Sequence, residues 1–368
     1  MALTVQWASG FEELSSLVTT GSNQEVTTNN WLGWDAEYST YTSNQTLPRW
    51  IGSPTAPHLR GYWAYPSLQI NSSNLTMIPR VFRSVVDNDK MVLGYAYCMK
   101  SANTVSNRFA VGLKGVSGET IHVRPFQSGG VWRASLYING TQVSTGTAVD
   151  IATGNPWVYI ELVINKTAGT VQVRVSGVPE CAGTMPVGFV ASSVECTVGG
   201  SGTYNNSSDN GIDDMVFYVD SDPAGIIKVD GFYKTGDVMT GFADGTDNGS
   251  TTTTGINSSS FTEYRASATV GSEDRFSYNN ILPTGVQANS IIAVIPSVLA
   301  SSGTYTNGNL ELRFTSGATT TTTDVTTKVK PFMPQYIAGP VLHTDPNTSA
   351  AWARANVQAI QTGYRVKA

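Results

Sequence analysis

The stretch PWVYIELVINKTAGTVQVRVSGV, Pro156 to Val178, constrains the fold of this chain more than any other. Val158, Ile160, Leu162 and Ile164 alternate with Trp157, Tyr159, Glu161 and Val163. After the polar turn NKTAGT, Val171, Val173 and Val175 alternate with Gln172, Arg174 and Ser176. Successive side chains of a strand leave opposite faces, so this period of two gives each arm one apolar side and predicts a β-hairpin with a single buried face. Upstream, VWRASLYINGTQVST repeats the device: Trp132, Ala134, Leu136 and Ile138 share a face, and Asn139-Gly140 supplies the two positive-φ residues of a type I′ turn. Further strands read at Met91 to Lys100, Arg108 to Leu113 and Ile212 to Val219. Evenly spaced strands joined by short polar turns predict antiparallel sandwiches, with no parallel sheet.

A chain of 368 residues exceeds one ordinary domain and predicts two. Tryptophan is unevenly shared: Trp7, Trp31, Trp34, Trp50, Trp63, Trp132 and Trp157 precede Trp352, which stands alone in the second half. That asymmetry implies two different cores. DSDPAGI, at 220–226, clusters turn formers behind an apolar strand and marks the seam, giving domains at 1–221 and 222–368. In the second half the threonine run Thr319 to Thr323 suits an exposed strand or its edge loop better than a helix, since threonine is β-branched and half polar, with a flexible tip as the equal alternative. The one helix expected is short, near 354–361, where Val357 and Ile360 share a side and Gly363 stands as its left-handed stop before a final strand, Tyr364 to Lys367. The fold class is mainly β: two antiparallel β-sandwich (jelly-roll) domains with one short C-terminal helix.

Charged residues make up 13% and the net charge is -5, so no basic stripe exists to neutralise phosphates, and nucleic acid is not an expected partner. The opening MALTVQWASGFEELSS carries neither a positive n-region nor an apolar run of signal-peptide or membrane-spanning length, which predicts synthesis in the cytosol and no membrane association. Three cysteines, Cys98, Cys181 and Cys196, form no disulfide framework and no CxxC pair, although a Cys181–Cys196 bridge stays open. His58, His122 and His343 have no second histidine at ligand spacing.

Asp213 and Asp214, in GIDDMVFY, raise three readings: a catalytic pair, a calcium site, or punctuation of a strand. On a regular strand they point to opposite faces and cannot jointly flank one bond, so no catalytic residue is assigned. DNGIDD and FADGTDNGS group carboxylates with glycine as calcium loops do, but neither completes the D-x-[DN]-x-[DN]-G pattern with its distal glutamate. Turns are the favoured reading; no cofactor is expected, with calcium kept as the alternative. The aromatic groups NNWLGWD (Trp31, Trp34) and RGYWAYPS (Tyr62, Trp63, Tyr65) are candidate glycan or partner contacts, against the alternative of core or subunit packing.

Several of these segments carry a family likeness. SGFEE at Ser9 to Glu13, WVYIELVI with GTVQVRVSG, and IDDMVFYVDSD resemble the laminin-G/concanavalin-like jelly-roll over residues 1–221. That family's glycosidases would be expected to carry a Glu-x-Asp-x-x-Glu strand, whereas Glu161 stands alone in its strand, so enzymatic activity is not expected. IIKVDGFYKTGD followed by GPVLHTDPNTSAAWARANVQAIQTGYRVKA resembles the C-terminal β-module of tailed-bacteriophage virion proteins, through Asp345, Pro346, Trp352, the short helix, Gly363 and the last strand. One departure is Ala353, where the family tends to place a Ser or Thr helix cap. The resemblance implies a non-enzymatic structural component of a phage particle (neck, tail, fibre or head decoration), assembled in the host cytoplasm and located in the virion. Its implied partners are other virion proteins and further copies of itself as a homo-oligomer. The alternative is a module binding carbohydrate or another receptor on the host surface.

Overall fold

The computed structural model describes residues 3–9, 35–37, 49–51, 62–64, 80–99, 109–128, 131–147, 157–198, 210–229, 235–246, 263–278, 291–331 and 335–368. The chain divides into two compact units, the first running to Asp230 and the second from Gly231 to Ala368.

The first unit is an antiparallel sandwich. One sheet has six strands in the order β1 (Thr4–Ser9), β15 (Asn210–Val219), β6 (Lys90–Met99), β11 (Trp157–Asn165), β12 (Thr170–Val175) and β13 (Val178–Thr184). The other has seven: β10 (Thr141–Thr145), β9 (Val131–Ile138), β8 (Thr120–Ser128), β7 (Phe109–Gly115), β14 (Ala191–Val198), β5 (Arg80–Ser84) and β2 (Asp35–Glu37). A ribbon pairs β3 (Arg49–Ile51) with β4 (Tyr62–Ala64). The hairpin of β11 and β12 has the expected register, with Leu162 opposite Val173 and Ile164 opposite Val171. The same rows continue into β6, where Leu93 faces Leu162 and Tyr95 faces Ile160. Ile160, Leu162, Ile164, Leu93 and Tyr95 are fully buried, each contributing about 1.5–3 kcal/mol of apolar burial. Val111, Leu113, Ile121, Val123, Leu136 and Val194 of the seven-stranded sheet are buried as well. The β9–β10 turn is formed by Asn139 (φ 50°) and Gly140 (φ 77°), as the Asn-Gly pair dictates. Cys181 and Cys196 are both buried and unbridged, one on each sheet.

The second unit is built on a five-stranded antiparallel sheet: β16 (Gly236–Thr240), β19 (Glu273–Ser277), β24 (Gln361–Val366), β21 (Leu310–Ser316) and β22 (Thr319–Asp324). Two ribbons accompany it, β17 (Ala243–Thr246) with β18 (Glu263–Ala266) and β20 (Ser297–Ala300) with β23 (Gln335–Ala338). Leu310, Leu312, Val325, Val329 and Ile337 make one core cluster, and Val298 and Ala300 of β20 pack on it as a second layer. Phe314, Trp352, Val357 and Ile360 make another, with Phe314 and Trp352 edge to face at 5.9 Å. The threonine run forms β22, alternately half-buried and exposed.

Two expectations near the C-terminus are corrected. The helix, α1, spans only Arg354–Gln358, with no side-chain bond at its Ala353 cap. Gly363 is not its stop: it lies inside β24, between Arg275 of β19 and Arg313 of β21. Strand pairing on both sides claims Gln361 onward, so sheet hydrogen bonds override the local helical pattern. Glycine is required at 363 because a Cβ there would overlap the Asp274 carbonyl of β19.

Candidate functional site

Asp214 is where the strand pattern breaks. The pairing of β15 with β6 shifts between Asp213 (opposite Ala96) and Val216 (opposite Gly94), and Asp214 has φ 50°, so two residues oppose one in a β-bulge. The expected separation of the two aspartates by simple alternation is therefore replaced by a bulge. Asp214 is 1% exposed and its Oδ1 accepts the Val229 amide at 2.8 Å. This carboxylate anchors backbone.

Its partner segment, 221–229, crosses the outer face of the six-stranded sheet. There the buried Glu161 accepts, on Oε1, the Gly225 amide at 2.9 Å and the Tyr218 hydroxyl at 3.2 Å, while the Tyr218 oxygen accepts the Ala224 amide at 2.8 Å. Arg174 Nε lies 3.5 Å from Glu161 Oε2. Pro223, Gly225, Ile227 and Val229 turn inward, while Asp222, Ala224, Ile226 and Lys228 are exposed. Burial holds the Tyr159 and Tyr218 hydroxyls protonated well above the usual tyrosine range, reinforced at Tyr159 by the neighbouring Tyr218 and then Glu161, and at Tyr218 by Glu161. The outer face of this sheet is thus occupied by the chain's own strap, and Glu161 is a structural anchor.

The outer face of the seven-stranded sheet has a different character. Register places Tyr137, His122, Gly112 and Glu195 in one row across β9, β8, β7 and β14. Over Gly112, His122 Nε2 donates to Glu195 Oε1 at 2.6 Å, with both side chains more than nine-tenths buried. A Cβ at Gly112 would lie 2.7 Å from both Cα and Cδ2 of His122, so glycine makes room for the imidazole. Two residues along β8 from His122, the Arg124 guanidinium stacks 4.2 Å over the Tyr137 ring. The Tyr137 hydroxyl donates to Gln142 Oε1 at 2.7 Å, and Gln142 Nε2 donates to Thr145 Oγ1 at 2.7 Å. Arg124 and Tyr137 are half-buried, while Gln142 and Thr145 are exposed. The result is a connected strip of carboxamide, hydroxyl, aromatic ring and guanidinium beside a buried imidazole–carboxylate pair.

Of the residues singled out from sequence, Tyr62 and Trp63 lie on β4, where Trp63 pairs with Trp50 and Tyr62 with Ile51. Their side chains, with Trp31, Trp34 and Tyr65, lie outside the described residues. Asp214, Trp352 and Gly363 are framework. Trp352 Nε1 donates to the Leu342 carbonyl at 2.7 Å. The neighbouring Asp345 is buried and accepts from the Asn347 amide at 2.9 Å and Asn356 Nδ2 at 2.5 Å. Among the described residues no three His, Cys, Asp or Glu side chains gather as a metal site. Sequence reasoning missed the His122–Glu195 pair because its members stand 73 residues apart. Only the shared strand alternation hints at a common face.

No family model matches the chain, and no curated protein matches it. Among solved structures it is similar to domain 4 of AbnA, a GH43 extracellular arabinanase from Geobacillus stearothermophilus in complex with arabinotriose: 13% identity, 59% of this chain, 93% of that chain, TM-score 0.36. A Bacillus licheniformis beta-glucanase matches at 11% identity over 60% of this chain and 99% of its own, TM-score 0.34. A sialidase matches at 9% identity over 38% of this chain and only 14% of its own, TM-score 0.28. These partial likenesses carry no argument about a ligand or an activity.

Proposed function

We propose that this chain is a non-catalytic carbohydrate-binding module. The observation that carries the reading is the strip on the outer face of the seven-stranded sheet, where Arg124 stacks on Tyr137 and Gln142 continues the polar line. A sugar presents vicinal hydroxyls, which match paired donors and acceptors such as guanidinium and carboxamide, and a C–H face that packs on an aromatic ring. The buried His122–Glu195 pair fixes the floor beneath that strip. It serves as positioning structure, and no bond of the ligand is broken. Titration calorimetry against a panel of neutral and acidic oligosaccharides tests this: saturable binding is expected, weakened at least tenfold by Arg124→Ala and by Tyr137→Ala. Binding that survives both substitutions but is lost in Trp63→Ala would move the site to the aromatic cluster and overturn this one. Release of reducing ends on incubation would overturn the non-catalytic reading.

A second reading, a structural component of a tailed-bacteriophage particle, is supported by the resemblance of the closing motif. Its Asp345, Trp352 and Gly363 are each built into the framework of the second unit. On this reading the protein sits in the virion beside other virion proteins and displays the first unit to host surface glycans. Mass spectrometry of purified particles tests it, and absence of the chain from mature particles would reject it.

A further inference from the structure

Most edge strands of the three large sheets carry a device that discourages pairing. β1 shifts register between Val5 and Trp7, β10 between Gln142 and Ser144, and β16 between Asp237 and Met239. β13 contains Pro179, and its pairing with β12 shifts between Val173 and Arg174. β2 has three residues, two of them acidic. Bulges, proline, shortness and charge are the usual protections of an exposed edge. Among these described edges β22 alone has neither bulge, proline nor unpaired charge, its one acidic residue, Asp324, being ion-paired with Lys367: TTTTTD pairs with β21 from Glu311–Asp324 to Ser316–Thr319 without a shift, and no described strand lies on its other side.

The direction of its free main-chain groups follows from one bond. Val325 donates its amide to the Leu310 carbonyl, so counting back by twos Thr323, Thr321 and Thr319 turn toward β21. Thr320, Thr322 and Asp324 then present their amides and carbonyls outward. Their side chains share the face that holds Thr315, Arg313 and Glu311, in rows across the sheet.

We propose that β22 is a self-pairing edge, joining two copies of this chain antiparallel about a two-fold axis at Thr322. In that register Thr322 faces its own copy, and Thr320 faces Asp324 of the second copy, so each outward amide meets an outward carbonyl. A second copy fits better than a foreign strand because threonine is self-complementary. Its hydroxyl both donates and accepts, so the same residue satisfies itself across a symmetry axis where a charged residue would repel itself. Asp324 brings no unbalanced charge, because Lys367 is ion-paired with it. The joint continues two five-stranded sheets into one.

Light scattering on the full chain reads this directly. The protein is expected to pass from 39.2 kDa toward twice that mass with rising concentration. Thr322→Lys sets like charges opposite each other at the axis and is expected to restore the single-chain mass with an unchanged circular dichroism spectrum. Should that variant fail to fold, Thr322→Cys decides: mild oxidation is expected to give a cross-linked dimer, because paired Cα atoms about 5.5 Å apart lie within disulfide reach. Thr319→Cys and the unaltered chain are expected to give none. A chain that stays single at every concentration assigns the edge to some other strand and overturns the proposal. So does an oligomer that is indifferent to Thr322→Lys and that yields no cross-link on oxidation of the Thr322→Cys variant.

Discussion

Replacing Glu161 by alanine removes the acceptor from which the strap over the six-stranded sheet is hung. Two hydrogen bonds end on its Oε1, from the Gly225 amide and the Tyr218 hydroxyl, and the Tyr218 oxygen in turn holds the Ala224 amide. A bond to a charged acceptor contributes about 1.5–3 kcal/mol, so the two together set an upper range of about 3–6 kcal/mol. Water reaching the loosened strap recovers part of that, since Ala224 and Ile226 are already exposed, whereas Ile227 forfeits its buried position. The expected cost is about 3 kcal/mol in the unfolding of the first unit. Tyr218→Phe keeps the ring and loses only the relay oxygen, so about 1–2 kcal/mol is expected. Because both changes break one network, the double variant should cost less than their sum, with a coupling of about 1 kcal/mol. Urea unfolding followed by fluorescence gives the energies, and amide hydrogen exchange gives the location: protection at Ala224 and Gly225 should fall in both single variants. A cost below about 1 kcal/mol for Glu161→Ala, or unchanged exchange at those two amides, would refute the anchoring role.

Gly363→Ala forces a methyl group into the Asp274 carbonyl, and such overpacking between central strands is expected to cost about 2–3 kcal/mol, read as a lower thermal midpoint of the second unit. Trp352→Ala opens a cavity against Phe314 and removes the indole donor from the Leu342 carbonyl, which keeps the Val294 amide, an expected loss of about 3–5 kcal/mol in calorimetry, while Trp352→Phe should retain much of the packing. Asp345 is held below the usual carboxylate range: burial works against ionisation, but hydrogen bonds from Ser316, Asn347, Asn356 and Thr348 outweigh it. A depressed folded pKa adds stability above the unfolded value of about 3.9 and loses it as pH falls through the folded one. The gap in thermal midpoint between the protein and Asp345→Asn is therefore expected to be full above pH ~4 and to close toward lower pH.

Much of the first unit was legible in sequence because its β11–β12 and β9–β10 hairpins are locally consistent: alternation fixes the faces, and Asn139-Gly140 fixes the turn. What alternation cannot reveal is an inserted residue. Asp214 satisfies the same pattern whether it continues the strand or bulges from it, and only the pairing with β6 decides. DSDPAGI clusters turn formers, yet its amides find partners on Glu161 and Tyr218, so nothing local announced that this stretch clings to a sheet. Gly363 was recognised as a necessary glycine for the wrong reason, because the obstacle is a carbonyl on a neighbouring strand. The candidate site was the least legible. His122 and Glu195 come from separate strands, and the strip of Arg124, Tyr137 and Gln142 becomes visible only once register is known.

The strand order of the second unit bears on its synthesis. β24, latest in sequence among the five strands of that sheet, occupies its middle, between β19 and β21. A ribosome delivers the outer members first and the central one last, so the nascent sheet waits as two separated halves, each with an open flank. A product lacking β24 is therefore expected to leave those two halves unjoined and open to proteolysis.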